Sequence, residues 1–560
     1  MAIGNRLARL PIFADAESNQ GHKERMSAKI PVKLQSRIGW LMFISLCSFS
    51  AGTATAQIEA CPPRPAASSV VIDPTELTSK GGALSLDLTM LSTTDRNGNP
   101  QYCYAYSDTV EAPTLRVKPG DRLRIRLKNS LTPGVDAMSG MAHEPPAPDP
   151  CGGGPMSSAL TNIHFHGLNI PPKCHQDDVI RTTIQPGDPP FQYNIVIPKN
   201  DPPGLYWYHP HPHGFTATQV VGGAAGALIV DGVEQMVPEA AGLPERVLVV
   251  RQLKVNLPGT HPPPDEDNAA LSLNFVPAQE ELPAPKILIK PLEKQLWRVV
   301  NATSIYFLAL QLQIGDGAET VRVVALDGIP LPAPRPMQTV VIPPAGRAEF
   351  IVTGPPLDTP AQLVNLGYDT GPAGDPNPPS PLANIIAATD APEAAHRMPA
   401  TGKRTALKRF VALSTQTASV RRHLFLSERN LPDGTTQFFI TVRGQRPRLY
   451  GPNEPPAIVT HQGAIEDWII ENHSTEVHAF HLHQLHFVVI AQNGKPTNDN
   501  ALRDTVVVPY WDGKTKPYPR ITVRVDFRDP ETVGTFLYHC HILDHEDGGM
   551  MAKIQVLPAK

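Results

Sequence analysis

The chain has 560 residues, enough for three or four domains of about 150 residues, each able to bury a full hydrophobic core. Its net charge of -4, from 49 basic and 53 acidic side chains with no long basic block, lacks the electrostatic footprint of a nucleic-acid binder or a polybasic membrane surface. Charged residues make up 18% of the chain and prolines number 62. The first figure lies below the roughly 25% of ordinary soluble domains, and that many prolines disfavour long helices, so a β-rich chain with many turns is expected.

At the amino terminus, the apolar run from Ile38 to Phe49 follows Lys29, Lys33 and Arg37 and leads to Ala54-Thr55-Ala56 ahead of Gln57. This is the pattern of a secretory signal over residues 1–56. The run is about a dozen residues long, too short to span a bilayer, so no integral membrane segment is expected in the mature chain. Residues 1–25 carry Asp15, Glu17 and Glu24, which points to Met26 as the start of translation. No Arg-Arg pair precedes the run. Export of the unfolded chain is therefore expected, with metal loading in the periplasm or outside the cell. Cys47 leaves with the signal, and Cys61, Cys103, Cys151 and Cys174 are expected to form two disulfides in that oxidising setting. Cys61–Cys103 with Cys151–Cys174 is one of three possible pairings. Cys540 is left over and requires another role.

Short runs of strand-forming residues, broken by Pro and Gly, recur along the chain: Thr114 to Leu127, Tyr193 to Ile197, Ala227 to Val230, Arg246 to Val250, Val321 to Ala325, Glu349 to Val352 and Thr522 to Phe527. Their spacing predicts β-sandwiches. The Pro-rich stretches 258–267 and 371–381 read as long loops or linkers, and boundaries are expected near 232 and 400. That gives segments 57–232, 233–400 and 401–560. The loop from Pro133 to Ser158, with Met138, Met141 and Met156, is long enough to cover part of a site.

Histidine carries the chemistry. Four clusters stand out: His164-Phe-His166-Gly, His209-Pro-His211-Pro-His213-Gly, His478-Ala-Phe-His481-Leu-His483, and His539-Cys540-His541 followed by His545, Glu546, Met550 and Met551. Residues two apart on a strand face the same side, so each His-x-His pair can present two imidazoles to neighbouring metals. In the fourth cluster, alternation sends His539 and His541 to one face and Cys540 to the other, so one strand is expected to touch two sites. A thiolate with two imidazoles and a distant thioether is the donor set of a blue-copper electron-transfer centre, which Cys540, His478, His545 and Met550 can supply. His164, His166, His209, His211, His481, His483, His539 and His541 form a second set, suited to a cluster of three coppers. A lone His-x-His pair is more often surface decoration or a zinc site, but four ordered clusters are not. His175, His213, His473 and His486 do not match the ligand spacing and are expected beside the sites or in the core.

These four segments closely resemble the copper-binding motifs of the multicopper oxidase family, which includes laccases and bacterial copper-resistance oxidases. The likeness extends to the stretch from Ala112 to Asp121 and to Gln219 with Gly222, Gly223 and Gly226. It implies an all-β fold of three cupredoxin-like Greek-key β-sandwich domains, the middle one without ligands. It implies four coppers per chain. His164 and His481 resemble the type 2 ligands, and Cys540, His478, His545 and Met550 the type 1 ligands. Among type 3 ligands, His166, His209 and His541 resemble one set and His211, His483 and His539 the other. By the same resemblance, acidic residues deliver protons to reduced oxygen, and Asp177 or Asp178 and Glu546 stand nearest. O2 and a small reducing substrate are the implied partners. Phenols or aromatic amines are the family's default donors, and Cu(I) or Mn(II) is the alternative. A non-enzymatic copper carrier would leave eight histidines unexplained. Methionine at position 550 implies a modest potential, since a thioether axial ligand lowers the potential relative to an apolar residue there. Asp504 and Glu476 are possible substrate-contacting acids.

Overall fold

A computed structural model describes residues 58–95, 98–132, 149–154, 156–254, 269–278, 282–400 and 405–560. The signal segment with Met26, and Met138 and Met141 of the long loop, lie outside these. Among the described residues no helix is long and apolar enough to cross a membrane.

Among the described residues thirty-six strands form six sheets, and the few helices are a turn or two long. The sheets occur in pairs along the chain. Two five-stranded sheets use strands from Glu76–Thr78 to Gly226–Val230, an eight- and a six-stranded sheet use strands from Pro244–Lys254 to His396–Arg397, and a seven- and a five-stranded sheet use strands from Val420–Asn430 to Met551–Leu557. Each sequence run expected to be extended lies on strands, with Thr114 to Leu127 divided into Thr114–Val117 and Arg122–Ser130. The division falls at Pro119-Gly120, where Gly120 has φ +93°, a conformation that turns the chain at no side-chain cost.

Alternation of apolar and polar side chains, as in Phe191–Val196 with every second residue buried, puts one face of each sheet into a core. Each pair encloses its own: Leu123, Ile125 and Phe165 in the first, Trp297, Phe350 and Leu363 in the second, Trp468, Phe480 and Tyr538 in the third. Smaller apolar clusters join the pairs. Leu205, Trp207 and Ile229 pack on Val247, Val300 and Ala345, while Val179 and Ile180 pack on Leu537 and Met551. The structure pairs Cys61 with Cys103 and Cys151 with Cys174, and leaves Cys540 as a buried free thiol.

One pair of histidine strands closes the edge of a five-stranded sheet in the first pair, and the other lies inside the five-stranded sheet of the third. His164–His166 pairs antiparallel with Gly204–His209, setting His164 opposite His209. His478–Leu482 pairs with Gly534–Cys540, setting His481 opposite His539 and Phe480 opposite Cys540.

Candidate metal centre

All eight histidines of the second set are buried and converge on one another. His164 stacks on His483 at 4.0 Å between ring centroids and His166 on His481 at 3.9 Å, so rings from residues 164–166 interleave with rings from 481–483. Possible ligand atoms of His166, His209 and His541 lie within 4.8 Å of one another, as do those of His211, His483 and His539, and those of His164, His166 and His481. The first two triads coincide with the divisions that the family resemblance implies.

Burial disfavours the charged form of seven of these imidazoles. It pushes His164 down to about 3 and His211 to about 4, and it holds His166, His209, His481, His483 and His541 well below the ordinary histidine range. A neutral imidazole is the form that binds metal. The lone nitrogens are also in place: His164 Nε2, His166 Nδ1, His209 Nε2, His211 Nε2, His481 Nε2 and His483 Nδ1 are buried with no hydrogen-bond partner. Orphaned polar atoms in such number are rare in a folded interior, and inward-facing imidazole nitrogens fit copper ions.

Four of the other ring nitrogens donate to oxygen acceptors, which fixes those tautomers. His164 Nδ1 donates to Asp177 at 3.0 Å, His209 Nδ1 to the Pro210 carbonyl at 2.9 Å, His481 Nδ1 to the Asp504 carbonyl at 2.9 Å and His539 Nδ1 to the Cys540 carbonyl at 3.0 Å. Asp177 also accepts from the Phe165 amide at 3.0 Å and from Gln484 Nε2 at 2.5 Å. It therefore links the two halves of the cluster, and burial raises its carboxyl to about 7. Asp178 turns instead to Arg181, accepting from its Nε at 3.0 Å. Glu546 is fully buried, with one oxygen 3.0 Å from His539 Nδ1 and the other 3.5 Å from His211 Nε2.

On the opposite face of Gly534–Cys540, Cys540 Sγ lies 3.6 Å from His478 Nδ1 and 3.7 Å from His545 Nδ1. The two Nδ1 atoms are 3.2 Å apart. Burial pushes the Cys540 thiol well up and His545 down to about 4. A thiol so desolvated gives a thiolate only against a cation, and a bound metal supplies one. Met550 is buried in the same core, and its carbonyl accepts the Cys540 amide at 3.1 Å. The outward Nε2 atoms meet carboxylates: His545 faces Glu476 at 2.5 Å and His478 faces Glu428 at 3.4 Å, with Ser474 Oγ at 2.7 Å from His478.

Of the histidines set apart by spacing, His486 donates to the Asp327 carbonyl at 2.8 Å, His213 meets the Tyr450 ring edge-on, His473 stacks on Tyr518 and His175 reaches the Gln192 carbonyl. One expectation needs correction. Asp504 is not a substrate-facing acid: it is 0% exposed and held by Arg347, because the strand Thr505–Val508 that follows it pairs with the histidine strand His478–Leu482. Sequence reasoning also passed over Arg347, Asp327, Gln484, Glu428 and Trp207, the last stacked on His209 at 4.2 Å. Only an arginine opening an apolar run, Arg347-Ala-Glu-Phe-Ile-Val, hinted at a buried charge there.

Comparison with known proteins agrees with this geometry. The multicopper oxidase description matches residues 427–560 and, separately, 156–235, and both stretches contain histidine clusters. The multicopper oxidase mco of Staphylococcus aureus is 24% identical over 82% of this chain and 85% of its own length. A laccase of Bacillus stratosphericus is 22% identical over 82% of this chain and 91% of its own. Among solved structures, the Campylobacter jejuni multicopper oxidase, a metallo-oxidase, superposes with a TM-score of 0.65 at 23% identity, covering 89% of this chain and 96% of that one. The domains are thus cupredoxin-like, and the chain belongs to the multicopper oxidase family, copper-binding oxidoreductases that use oxygen.

Proposed function

We propose that this protein oxidises a small reducing substrate one electron at a time at the Cys540 site and passes four electrons to O2, forming water, at the eight-histidine cluster. The observation that carries the reading is the His539-Cys540-His541 tripeptide. Its cysteine lies beside His478 and His545 while its histidines lie beside His481 and His209, so one short covalent path joins both sites. When bound, copper supplies the redox chemistry: one type 1 ion held by Cys540, His478, His545 and Met550, a type 2 ion by His164 and His481, and two type 3 ions by the remaining six histidines.

The chain's own residues supply order and protons. Asp177 orients His164 and, with its carboxyl raised to about 7 by burial, can hold a proton near neutral pH beside the cluster. Glu546 sits between His539 and His211 and is the second proton carrier in this reading. Asp178 is assigned no proton there, since it is engaged by Arg181. The signal segment exports the chain to the periplasm or beyond, and the three sandwiches divide near residues 232 and 400.

Phenols or aromatic amines are the donors in the primary reading. A second reading, oxidation of Cu(I) or Mn(II), is favoured by one observation: both outward histidine nitrogens of the Cys540 site face carboxyl oxygens, of Glu476 and Glu428, which could serve as oxygen donors to a cation. Oxygen uptake by the copper-loaded mature protein, measured with a methoxyphenol and with Cu(I) in parallel, separates them. Faster uptake with the phenol supports the first reading, and preference for Cu(I) moves it to the second. No uptake with either, at full copper loading, overturns both.

A further inference from the structure

The strand Arg347–Thr353 belongs to the middle pair of sheets, and residues 233–400 contain none of the proposed ligands. Yet Arg347, 1% exposed, reaches out of that pair to Asp504. Its two terminal nitrogens donate to the two carboxylate oxygens at 2.7 and 2.5 Å. Its Nε donates to the Leu205 carbonyl at 3.3 Å, on the strand that ends in His209.

Asp504 passes this constraint to the cluster. His166 Nε2 donates to its Oδ1 at 3.3 Å, and His481 Nδ1 donates to its carbonyl at 2.9 Å. The opposite nitrogens, His166 Nδ1 and His481 Nε2, are the ones left buried without a partner. A neutral imidazole that donates from one nitrogen presents a lone pair at the other. One aspartate therefore sets the tautomer of a histidine from each half of the cluster, and one arginine holds the aspartate. Asp327 closes the arrangement, accepting the amides of Arg347, Asp504 and Thr505 at 2.9, 3.2 and 3.3 Å.

Gly167 follows from the same contact. Its φ is +87°, and a Cβ there would overlap the Arg347 guanidinium and come within 2.7 Å of Asp504 Oδ2. The glycine of the His164-Phe-His166-Gly motif is the space that this ion pair occupies.

We propose that Arg347 is a positioning residue for the histidine cluster: by gripping Asp504 through both oxygens it sets the ring orientation of His166 and His481, making the ligand-free middle sandwich a working part of the oxygen-reducing centre. This rests on reading the cluster as a copper centre. A fork of two parallel N–H donors matches a carboxylate in a way that a point-charged ammonium does not, so lysine should restore the charge without the full geometry.

The test uses the full mature chain, copper-loaded, with Arg347→Gln, Arg347→Lys, Asp504→Asn and the double variant. Arg116→Gln is the control for loss of a buried arginine, since Arg116 binds Glu76, Asp231 and Glu245 and touches no cluster histidine. Copper per chain, the thiolate–copper visible absorption and the electron paramagnetic resonance of copper not bound by thiolate are read beside oxygen uptake. Expected for Arg347→Gln and Asp504→Asn are altered resonance parameters and lower occupancy of the histidine-bound copper, with the thiolate–copper absorption unchanged. Uptake should fall about 10- to 100-fold, the usual effect of removing a residue that orients metal ligands. Arg347→Lys recovers part of this, and the double variant is no worse than the singles because the two residues act as one unit. Wild-type resonance and copper content in Arg347→Gln, or the same changes in Arg116→Gln, overturn the proposal. Should Arg347→Gln not fold, wild-type spectra in both Arg347→Lys and Asp504→Asn overturn it equally. A wild-type chain that takes up thiolate-bound copper alone sinks the copper reading of the cluster, a failure distinct from that of Arg347.

Discussion

The four proposed donors of the Cys540 site, His478, Cys540, His545 and Met550, all come from residues 478–550, within one five-stranded sheet and the short helix and turn that follow Cys540. The eight-histidine cluster instead takes four rings from residues 164–211 and four from 481–541, and leans on Arg347 and Asp327 from the middle sheets. The two sites share a strand but differ in how they are made. A site built within one sheet inherits its geometry from strand pairing, whereas a site built between sheet pairs depends on how those pairs dock. The first should survive changes that disable the second, and the converse should not hold for turnover, since electrons enter at the first.

The largest effect is expected from Cys540→Ser. It removes the free thiol of the described residues and should abolish the visible absorption and bring oxygen uptake to background with every donor, while copper remains on the histidines; measurable uptake would show that the sites are not in series. Next comes His541→Ala, on the other face of the same strand. It should also bring uptake to background yet keep the thiolate–copper absorption, and unchanged turnover would break the division between the two faces. Asp177→Asn should lower oxygen uptake by about 10- to 100-fold, the usual effect of losing a residue that orients a metal ligand, with the Cys540 absorption intact.

A smaller effect separates the sites by pH. His164 is held at about 3 and His211 and His545 at about 4, against 6.5 when unfolded. Below pH 6.5 the unfolded chain binds protons that the folded chain refuses, so stability falls as pH drops from 6.5 toward 4. Asp177 has the opposite sign: its folded carboxyl at about 7 keeps a proton that the unfolded one releases above 3.8, which favours the fold on acidification. Glu476 at about 8 and Asp73, Asp201 and Asp327 at about 6 act the same way, and the depressed histidines outnumber these carboxyls. The copper-free protein should therefore melt at progressively lower temperature between pH 7 and pH 4.5, checked by calorimetry, and most of that loss should come from the cluster, which has more buried imidazoles. The smallest effect is on Glu476→Gln, which should raise the KM for Cu(I) by less than about tenfold, as for the change of one hydrogen-bonding group beside His545, and leave that for a methoxyphenol unchanged.

Much of this was readable from particular residues. Strand alternation around Cys540 foretold that one strand would serve two sites, and the His-x-His spacing foretold convergence, because both rest on the two-residue period of an extended chain. Asp504 was misjudged for the same reason that Arg347 was missed. An acid at a strand's edge looks like a surface residue, and an arginine opening an apolar run gives only a hint of burial, until the partner that neutralises each is known; here each is the other's partner 157 residues away. The choice between Asp177 and Asp178, adjacent in sequence, likewise fell to Gln484 and Arg181, which pull them to opposite environments.

The amino-acid sequence by itself therefore determined the β fold, the donor residues and their sorting onto two faces of a strand, since these follow from local periodicity and from the chemistry of thiolate and imidazole. Tertiary structure alone decided which imidazole nitrogen is free, which carboxylate touches the cluster and how the middle sandwich reaches it. Those depend on contacts between residues far apart in the chain, where the burial of a charge is tolerated only by the opposite charge that folding brings to it.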